Sequence, residues 1–473
     1  MAYSRFPGAE RPNVLFILTD QLRYDTLGFN GNSIIKTPNL DKLAASGAVF
    51  KNCYVQNPTC GPSRACLLTG RYARSHGLRR NGCALPEDQP TMMKHLRVNG
   101  YHTALVGKLH FQPFQVSLAE HPDYGFDSMK MAEVPTVGGL RNNAYLEWCQ
   151  AQGLSLLKIG EGCKDSFSPY PFAPGDRCHY SSWVAEEAAK YIGLSPTLGR
   201  PFFLNLSFFD PHHPYTTPEP WYSMYTPEEV RDIDWPHDDF WNDKPELFQK
   251  RREAFGSNFL KTTRESWRNV RACYYGMVSH LDDCIGRVIR ALEAANLMDN
   301  TIICFTTDHG DMQGDKGLFD KGPYHYQETV RIPAMIWAPP KFDLQQGQVV
   351  EDLVESIDLA PTLMQMCGVC PYAGIQGESL WREGKFGSGR QSVLIEDFHE
   401  FERQHCVTVF DGQWKYNRYE GEEYGELYDL ENDPMEHINL WGKCPKQQMR
   451  MAEIMLERLI RSHDQLPLPH SHY

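Results

Sequence analysis

Four apolar segments, each followed directly by polar side chains, constrain the fold of this chain more than any other feature. Residues 14–18, 101–106, 202–208 and 301–307 are rich in β-branched and bulky apolar residues. Such runs are typical of parallel strands that are buried on both faces. Polar residues follow them in segments 19–21, 107–110, 210–214 and 308–311. Because ligand groups in open α/β sheets gather at the carboxyl ends of strands, we expect these four segments around one crevice.

Helical patterns fill the gaps between these segments. Helices are predicted from 37 to near 47, from 183 to 192 with Ser182 as the N-cap, and over about 266–295, where apolar residues recur at helical spacing. The alternation predicts an α/β fold with a mostly parallel sheet covered on both faces. Residues 112–180 and 215–265 lack this rhythm. They are interpreted as loops that either shape a substrate pocket or simply cover the surface.

The composition changes near residue 370. Short strands are predicted at 393–395, 407–410, 415–419 and 426–428, with a hairpin signal at Asp411-Gly412 and a helix over 447–462. We therefore predict a catalytic α/β domain over residues 1–375. A small C-terminal α+β subdomain with an antiparallel sheet is predicted over residues 376–473.

Composition excludes several classes of protein. The formal net charge of -13 argues against general nucleic-acid binding, so an anionic substrate would need a local cluster of cations. No apolar run reaches the roughly 20 residues of a membrane span, and the first residues carry no secretory pattern. The 14 cysteines show no dense, even spacing. A cytoplasmic protein with free thiols is the simplest expectation, although a trimmed leader would look the same.

Cys60 is a candidate functional residue because of the segment around it. Pro62 suits the first turn of a short helix that ends at Thr69-Gly70, so Cys60 should lie beside free N–H groups at the helix start. Arg64, four residues later, would return its guanidinium to the same face. A cysteine taken alone is usually a small buried apolar residue, and the surrounding pattern is what favours a functional role.

The stretch from Cys60 to Arg71 resembles the signature of the type I sulfatase family, within the alkaline phosphatase superfamily. Segments 356–363 and 426–434 look like later landmarks of that family. The resemblance implies a large α/β/α sandwich with a mostly parallel mixed sheet and a small C-terminal sheet. It also implies that Cys60 is converted to formylglycine by a formylglycine-generating enzyme that reads the Cys-x-Pro-x-Arg core. That enzyme is then a partner during maturation.

Acidic and histidine side chains after two strands suggest a site for one divalent cation. Oxygen-rich ligation suits Ca²⁺, Mg²⁺ or Mn²⁺, and a histidine favours Mn²⁺ or another transition ion. The resemblance implies Asp20, Asp308 and residue 60 as ligands. Gln21 and His309 complete the predicted set, and they stand where many sulfatases carry Asp and Asn. This departure is similar to phosphonate monoester hydrolases and to some bacterial sulfatases, so the metal and the substrate atom, sulfur or phosphorus, both stay open.

The resemblance also implies the catalytic side chains. Lys108 and His110 match the Gly-Lys-x-His motif, His212 matches the Pro-His-x-Pro motif, and Lys321 matches the second lysine. An ester of this kind needs cations on its non-bridging oxygens and a proton donor for its leaving oxygen, which lysines and histidines supply. Asn81 is predicted as a substrate contact. His213 and His325 are interpreted as structural.

The implied mechanism starts from hydrated formylglycine at position 60. One hydroxyl, activated by the metal and Arg64, attacks the sulfur or phosphorus in line. His212, assisted by Lys321, protonates the leaving group. The ester then breaks down as His110 or another base removes the second hydroxyl's proton.

Three functions follow. The first is a sulfatase for an organic sulfate ester such as a sulfated carbohydrate, the second a phosphonate monoester hydrolase or phosphodiesterase, and the third a non-catalytic metal-holding binding protein. In each enzymatic case the substrate is a small anionic ester. The sequence leaves the oligomeric state open.

Overall fold

The computed structural model describes residues 11–113, 120–135, 143–154, 161–398, 404–464 and 466. The strands are β1 (Asn13–Thr19), β2 (Ala48–Tyr54), β3 (His102–Gly107), β4 (Ser128–Met131), β5 (Tyr170–Pro171), β6 (Phe202–Ser207), β7 (Thr216–Thr217), β8 (Thr301–Thr307), β9 (Arg331–Trp337), β10 (Gln348–Glu355), β11 (Trp381–Arg382), β12 (Lys385–Phe386), β13 (Val393–Phe398), β14 (His405–Phe410), β15 (Trp414–Tyr419) and β16 (Gly425–Asp429). The α-helices are α1 (Pro38–Ser46), α2 (Cys60–Thr69), α3 (Ala73–His76), α4 (Met92–Val98), α5 (Ala144–Ala151), α6 (Tyr180–Leu194), α7 (Glu246–Ala254), α8 (Ser257–Leu260), α9 (Arg264–Ala294), α10 (Gln327–Val330), α11 (Leu359–Met366) and α12 (Pro445–Arg461).

A large mixed sheet forms the centre of the molecule, in the order β10-β2-β9-β8-β1-β6-β3-β4. Strand β9 runs antiparallel to β2 and β8, and the other pairings in this sheet are parallel. The four strands predicted from sequence are β8, β1, β6 and β3, which lie side by side in the middle. The prediction that their carboxyl ends meet at one crevice therefore has the topology it needs.

Alternating side chains of β1 enter two separate cores, one on each face of the sheet. Leu15 and Ile17 pack with residues of α1, α6 and α9. Phe16 and Leu18 pack with residues of α2, α4 and α11. This period-two alternation is what a strand buried on both faces requires, and it confirms the predicted α/β/α sandwich.

The predicted cap of one helix is wrong. Helix α6 begins at Tyr180, and the His179 side chain accepts a hydrogen bond from the backbone N–H of Ser181 at its start. Ser182 is buried inside the first turn, where its hydroxyl contacts Asp176 and His280. Because the Ser182 hydroxyl is used by these distant residues, it does not cap the helix, and the local sequence pattern could not show this.

The C-terminal part contains the predicted antiparallel sheet, in the order β13-β14-β15-β16, with α12 packed against it. Its apolar face contacts Cys66, Tyr72 and Ala73 of the segment that follows Cys60. The backbone of β13 is also joined to the chain before Cys60, since the Asn57 side chain donates to Glu396 O at 2.8 Å. The subdomain thus supports helix α2 directly. The boundary at residue 375 stays a prediction.

Within the described residues, no helix combines the length and the apolar character needed to cross a lipid bilayer. Cytoplasmic location stays a prediction.

Candidate active site

The carboxyl ends of the central strands deliver the predicted side chains to one place. Asp20 and Gln21 follow β1, Lys108 and His110 follow β3, the 210–214 segment follows β6, and Asp308 and His309 follow β8. Cys60 is the first residue of α2, with Thr59 as its N-cap, and Gly70 ends the helix in the left-handed conformation. The sequence predicts that Cys60 lies just before this helix. In the structure Cys60 is its first residue, one position further inside than predicted.

Four side chains form a buried donor group at the bottom of the site: Asp20, Cys60, Asp308 and His309. One ligand atom from each lies within 4.8 Å of the others. The Cys60 Sγ is 3.0 Å from His309 Nε2 and 3.8 Å from Asp20 Oδ1. His309 Nδ1 lies 2.8 Å from the carbonyl oxygen of Gly310, a contact that fixes the ring and turns Nε2 towards the group.

Two cationic side chains, Arg64 and Lys108, contact these carboxylates. Arg64 is fully buried, and its guanidinium binds Asp308 Oδ2 at 2.7 Å and Asp20 Oδ2 at 3.0 Å. Lys108 Nζ lies 2.6 Å from Asp20 Oδ2. Burial alone would raise the pKa of Asp20, but the charges of Lys108 and Arg64 hold it well below its usual value. The carboxylate is therefore ionised and ready to bind a cation. The guanidinium contacts the two carboxylates, which indicates that Arg64 positions them.

Gln21 lies beside the donor group but its side chain has other contacts. Gln21 Oε1 accepts a hydrogen bond from Lys321 Nζ at 2.9 Å, and Nε2 is 3.4 Å from His213 Nδ1. Its backbone N–H donates to Asp308 Oδ1 at 3.0 Å. Gln21 has a positive φ of 63°, a sparsely populated conformation that turns the chain sharply after β1. Its role as a metal ligand stays a prediction.

His212 and Lys321 form a hydrogen-bonded pair. Lys321 Nζ donates to His212 Nε2 at 3.0 Å, and His212 Nδ1 contacts the carbonyl oxygen of His213 at 2.5 Å. Burial and the charge of Lys321 hold the pKa of His212 well below its usual value. Burial lowers the pKa of Lys321, but Asp320 and the donor group outweigh it and raise the pKa above the ordinary value. The proton of this pair therefore resides on Lys321.

The remaining predicted residues, His110 and Asn81, lie beside Gly61 at the start of α2. The backbone N–H of His110 donates to the Glu133 carboxylate at 3.0 Å, and burial lowers the pKa of the His110 imidazole well below its usual value. Asn81 Oδ1 accepts a hydrogen bond from the backbone N–H of Gly61 at 3.0 Å, so it supports the start of α2. Asn81 also lines a cavity above the site, and its role as a substrate contact stays a prediction.

A cavity of about 230 Å³ opens above these groups. It is lined by Thr59, Arg80, Asn81, His212, His213, Arg251, Asp320, Lys321, Gly322 and Phe398. His213 therefore reaches the site and does not have the purely structural role predicted for it. The doubled histidine in Asp210-Pro211-His212-His213-Pro214 was the signal available for it. His325, by contrast, contacts Thr408 Oγ1 at 2.7 Å, a structural role as interpreted.

Comparison with known proteins decides the family. The profile of the family named Sulfatase matches residues 12–369, and the profile named N-sulphoglucosamine sulphohydrolase, C-terminal, matches residues 314–465. The chain belongs to the sulfatase family. This confirms the resemblance, including membership of the alkaline phosphatase superfamily, and makes the protein a sulfuric ester hydrolase.

Individual relatives of this sulfatase cover almost its whole length. The arylsulfatase of Clostridium perfringens is 30% identical over 445 residues, which are 91% of this chain and 90% of that protein. A multifunctional alkaline phosphatase superfamily protein of Trinickia caryophylli is 31% identical and covers 91% of each chain. The crystal structure of a phosphonate monoester hydrolase of Agrobacterium radiobacter superposes with a TM-score of 0.83 at 26% identity, over 97% of each chain.

The donor group of this sulfatase fits the divalent cation that the family implies. Two ionised carboxylates and an imidazole are ligands that Mn²⁺ accepts, and carboxylates also suit Ca²⁺ and Mg²⁺. The Cys60 Sγ occupies the position where a formylglycine side chain would place its oxygens. All four residues are at most 2% exposed, so the group is held away from solvent. Asp20, Asp308, His309 and residue 60 would hold the ion.

Proposed function

We propose that this sulfatase hydrolyses an organic sulfate ester, such as that of a sulfated carbohydrate, with formylglycine derived from Cys60 as the nucleophile. The observation that carries the proposal is the position of Cys60. Its Sγ lies 3.0 Å from His309 Nε2 at the start of α2, inside the buried group of acidic and imidazole ligands. A nucleophile at a helix start beside a cation site suits an anionic substrate.

The modified residue and the ion together would supply an oxygen nucleophile at neutral pH and positive charge for the non-bridging oxygens. The chain's own residues do the rest. Arg64 and Lys108 fix Asp20, and Arg64 also fixes Asp308, so that both carboxylates hold one orientation. Lys321, with its raised pKa, keeps an ammonium at the rim of the donor group, where it can bind a sulfate oxygen.

The departing alcohol needs a proton, and the pair of His212 and Lys321 can provide it. The two nitrogens are 3.0 Å apart, within the distance at which a proton is shared. Lys321 holds the proton at rest. The negative charge that develops on the leaving oxygen raises the pKa of the imidazole, so that His212 can take up a proton and pass it to that oxygen. The backbone of His110 lies beside Gly61 at the start of α2, and its neutral imidazole can accept a proton when the enzyme is regenerated.

Phosphonate monoester hydrolysis is the second candidate, and two observations favour it. His309 brings an imidazole into the donor group, and Gln21 replaces a carboxylate beside it, which makes the site less negative. The solved relative with a TM-score of 0.83 is itself a phosphonate monoester hydrolase. Both reactions would use the same residues, since sulfate and phosphonate monoesters carry the same single negative charge.

The test is a comparison of kcat/KM for an aryl sulfate and for an aryl phosphonate monoester with the same phenol. The protein is co-expressed with a formylglycine-generating enzyme, and Cys60→Ala serves as the control. A faster reaction with the sulfate supports the first candidate, and a faster reaction with the phosphonate replaces it with the second. Full conversion of Cys60 with neither reaction above the Cys60→Ala background would contradict both.

A further inference from the structure

The cavity above the active site carries more positive charge than one sulfate group requires. Its lining includes three cationic side chains, Arg80, Arg251 and Lys321, and one carboxylate, Asp320. The two histidines in the lining have pKa values lowered by burial, so they add no charge at neutral pH. Lys321 serves the sulfate group in the proposed reaction, whereas Arg80 and Arg251 have no part in it. This local excess of cations occurs in a chain whose formal net charge is -13.

We propose that Arg251, together with Arg80, determines specificity by binding a second anionic group of the substrate. This inference rests on the proposed hydrolysis of an organic sulfate ester and narrows the substrate class. The ester would carry a carboxylate or a second sulfate in addition to the sulfate that is cleaved. Either group offers a pair of oxygens that a guanidinium can bind through two parallel hydrogen bonds.

Arg251 lies in the wall of the cavity rather than on the outer surface. It belongs to α7, and its side chain is 11% exposed. Its Nη2 lies 3.9 Å from Asp320 Oδ2, which is too long for a hydrogen bond, whereas Lys321 Nζ lies 3.1 Å from Asp320 Oδ1. The charge of Asp320 is thus balanced first by Lys321. Because the guanidinium is largely shielded from water, its attraction for an anion in the cavity is stronger than at an open surface.

Packing holds α7 and this guanidinium in place. Leu247 and Phe248 of α7 are buried, and the Phe248 ring lies 5.6 Å from that of Tyr324, on the segment that carries the catalytic lysine. The Arg251 guanidinium lies 4.5 Å from the ring centroid of Phe255, a cation–π contact that restricts its orientation. Because the helix and the side chain are already held, little conformational entropy is lost when an anion binds.

Arg80 reaches the same cavity from a distant part of the chain. It follows α3 and stands next to Asn81, whose side chain binds the start of α2. Among the described residues, no carboxylate forms an ion pair with Arg80. Arg80 is exposed, so water screens its charge and we expect it to contribute less than Arg251.

Ligand binding to Cys60→Ala protein, which leaves the ester intact, tests the proposal. Isothermal titration calorimetry compares para-carboxymethylphenyl sulfate with its methyl ester, which lacks only the second charge. The meta isomers of both are included, so that two positions of the anion are sampled. We expect the better carboxylate isomer to bind about 10–100 times more tightly than its methyl ester, as a hydrogen bond between two charged groups provides. The corresponding sulfomethyl compounds show whether the site prefers a carboxylate or a sulfate-like anion.

Substitutions in the Cys60→Ala protein identify the residue responsible. Arg251→Gln should bring the affinities of the carboxylate and its methyl ester close together, and Arg80→Gln should reduce the difference less. Arg251→Lys keeps the charge and should retain part of the difference. Lys250→Gln is the matched control, because Lys250 precedes Arg251 in α7, is 61% exposed and pairs with Glu246. It removes the same charge outside the cavity, and the preference for the carboxylate should stay as in the parent protein.

Three results would overturn the proposal. The first is a carboxylate that binds no better than its methyl ester in the parent protein. The second is an Arg251→Gln protein that binds both ligands more weakly but keeps their ratio, since Arg251 would then only position Lys321. The third is an equal loss of preference in Lys250→Gln. The proposed hydrolysis fails separately: a retained preference for the carboxylate, with no turnover of either aryl sulfate by the formylglycine form, would contradict the reaction and leave the second anion site standing.

Discussion

Replacing His212 by alanine tests the proposed route of the leaving-group proton. The variant leaves Lys321 without the ring nitrogen that it contacts at 3.0 Å. It also removes the ring that carries the proton from Lys321 towards the cavity. A poor leaving group needs this proton in the transition state, whereas a phenol that is already acidic departs without it.

The size of the effect follows from the general-acid contribution. General acid catalysis by a positioned side chain supplies about 10²–10⁴-fold in rate. At about 1.36 kcal/mol for each tenfold, the loss corresponds to about 2.7–5.4 kcal/mol of transition-state stabilisation. We expect this full loss with phenyl sulfate, whose phenol has a pKa of about 10. With 4-nitrophenyl sulfate, a better leaving group, we expect a loss at least tenfold smaller.

The assay is kcat/KM for a series of aryl sulfates with phenols of graded pKa, in wild type and variant. The slope of log kcat/KM against leaving-group pKa should become steeper in His212→Ala. His213→Ala is the matched control. The ring centroid of His213 lies 4.1 Å from that of His212. Among the hydrogen bonds of the described residues, none joins His213 to Lys321. An unchanged slope in His212→Ala, or the same steepening in His213→Ala, would refute the assignment.

Three further predictions concern stability. Arg458→Met removes an ion pair with the buried carboxylate of Glu355, which keeps its second partner, Arg390. The free energy of unfolding measured in urea should therefore fall by about 3 kcal/mol. Burial would raise the pKa of Asp25, but Arg23 holds it well below its usual value. This ion pair therefore stabilises the fold above about pH 4, and its contribution to the free energy of unfolding is lost as the pH falls further. Asp25→Asn should therefore cost about 1.5–3 kcal/mol at pH 7, and the difference from wild type should shrink below pH 4 in urea titrations. Mn²⁺ at about 100 times its Kd should add about 2.7 kcal/mol to wild-type stability, and Asp308→Ala should abolish most of the calorimetric shift.

Sequence patterns were strongest for strands buried on both faces. The four central strands consist of continuous apolar runs, which is why they could be recognised. Strand β2 contains Lys51 and Asn52, and β10 is half exposed at the sheet edge, so neither shows such a run. Strand β9 contains Pro333. A proline is atypical of a strand inside a sheet, so the pattern gave no reason to predict one there.

The parts of the active site that could be predicted from the sequence are those that lie in short motifs. Asp20, Cys60, Lys108, His212 and Asp308 each stand in a compact pattern next to a strand or helix end, and the structure brings them together. The contact of Arg64 with two carboxylates depends on how β1 and β8 pair, which no local pattern encodes.

The central claim is that formylglycine at position 60 is the nucleophile. The most direct measurement is the mass of the peptide that contains Cys60, taken on preparations with different degrees of conversion and paired with aryl sulfate turnover. Conversion of the thiol to the aldehyde lowers the peptide mass by about 18 units. We predict that turnover is proportional to the converted fraction and reaches background when Cys60 stays a thiol. Full turnover by protein with an unmodified Cys60 would contradict the account.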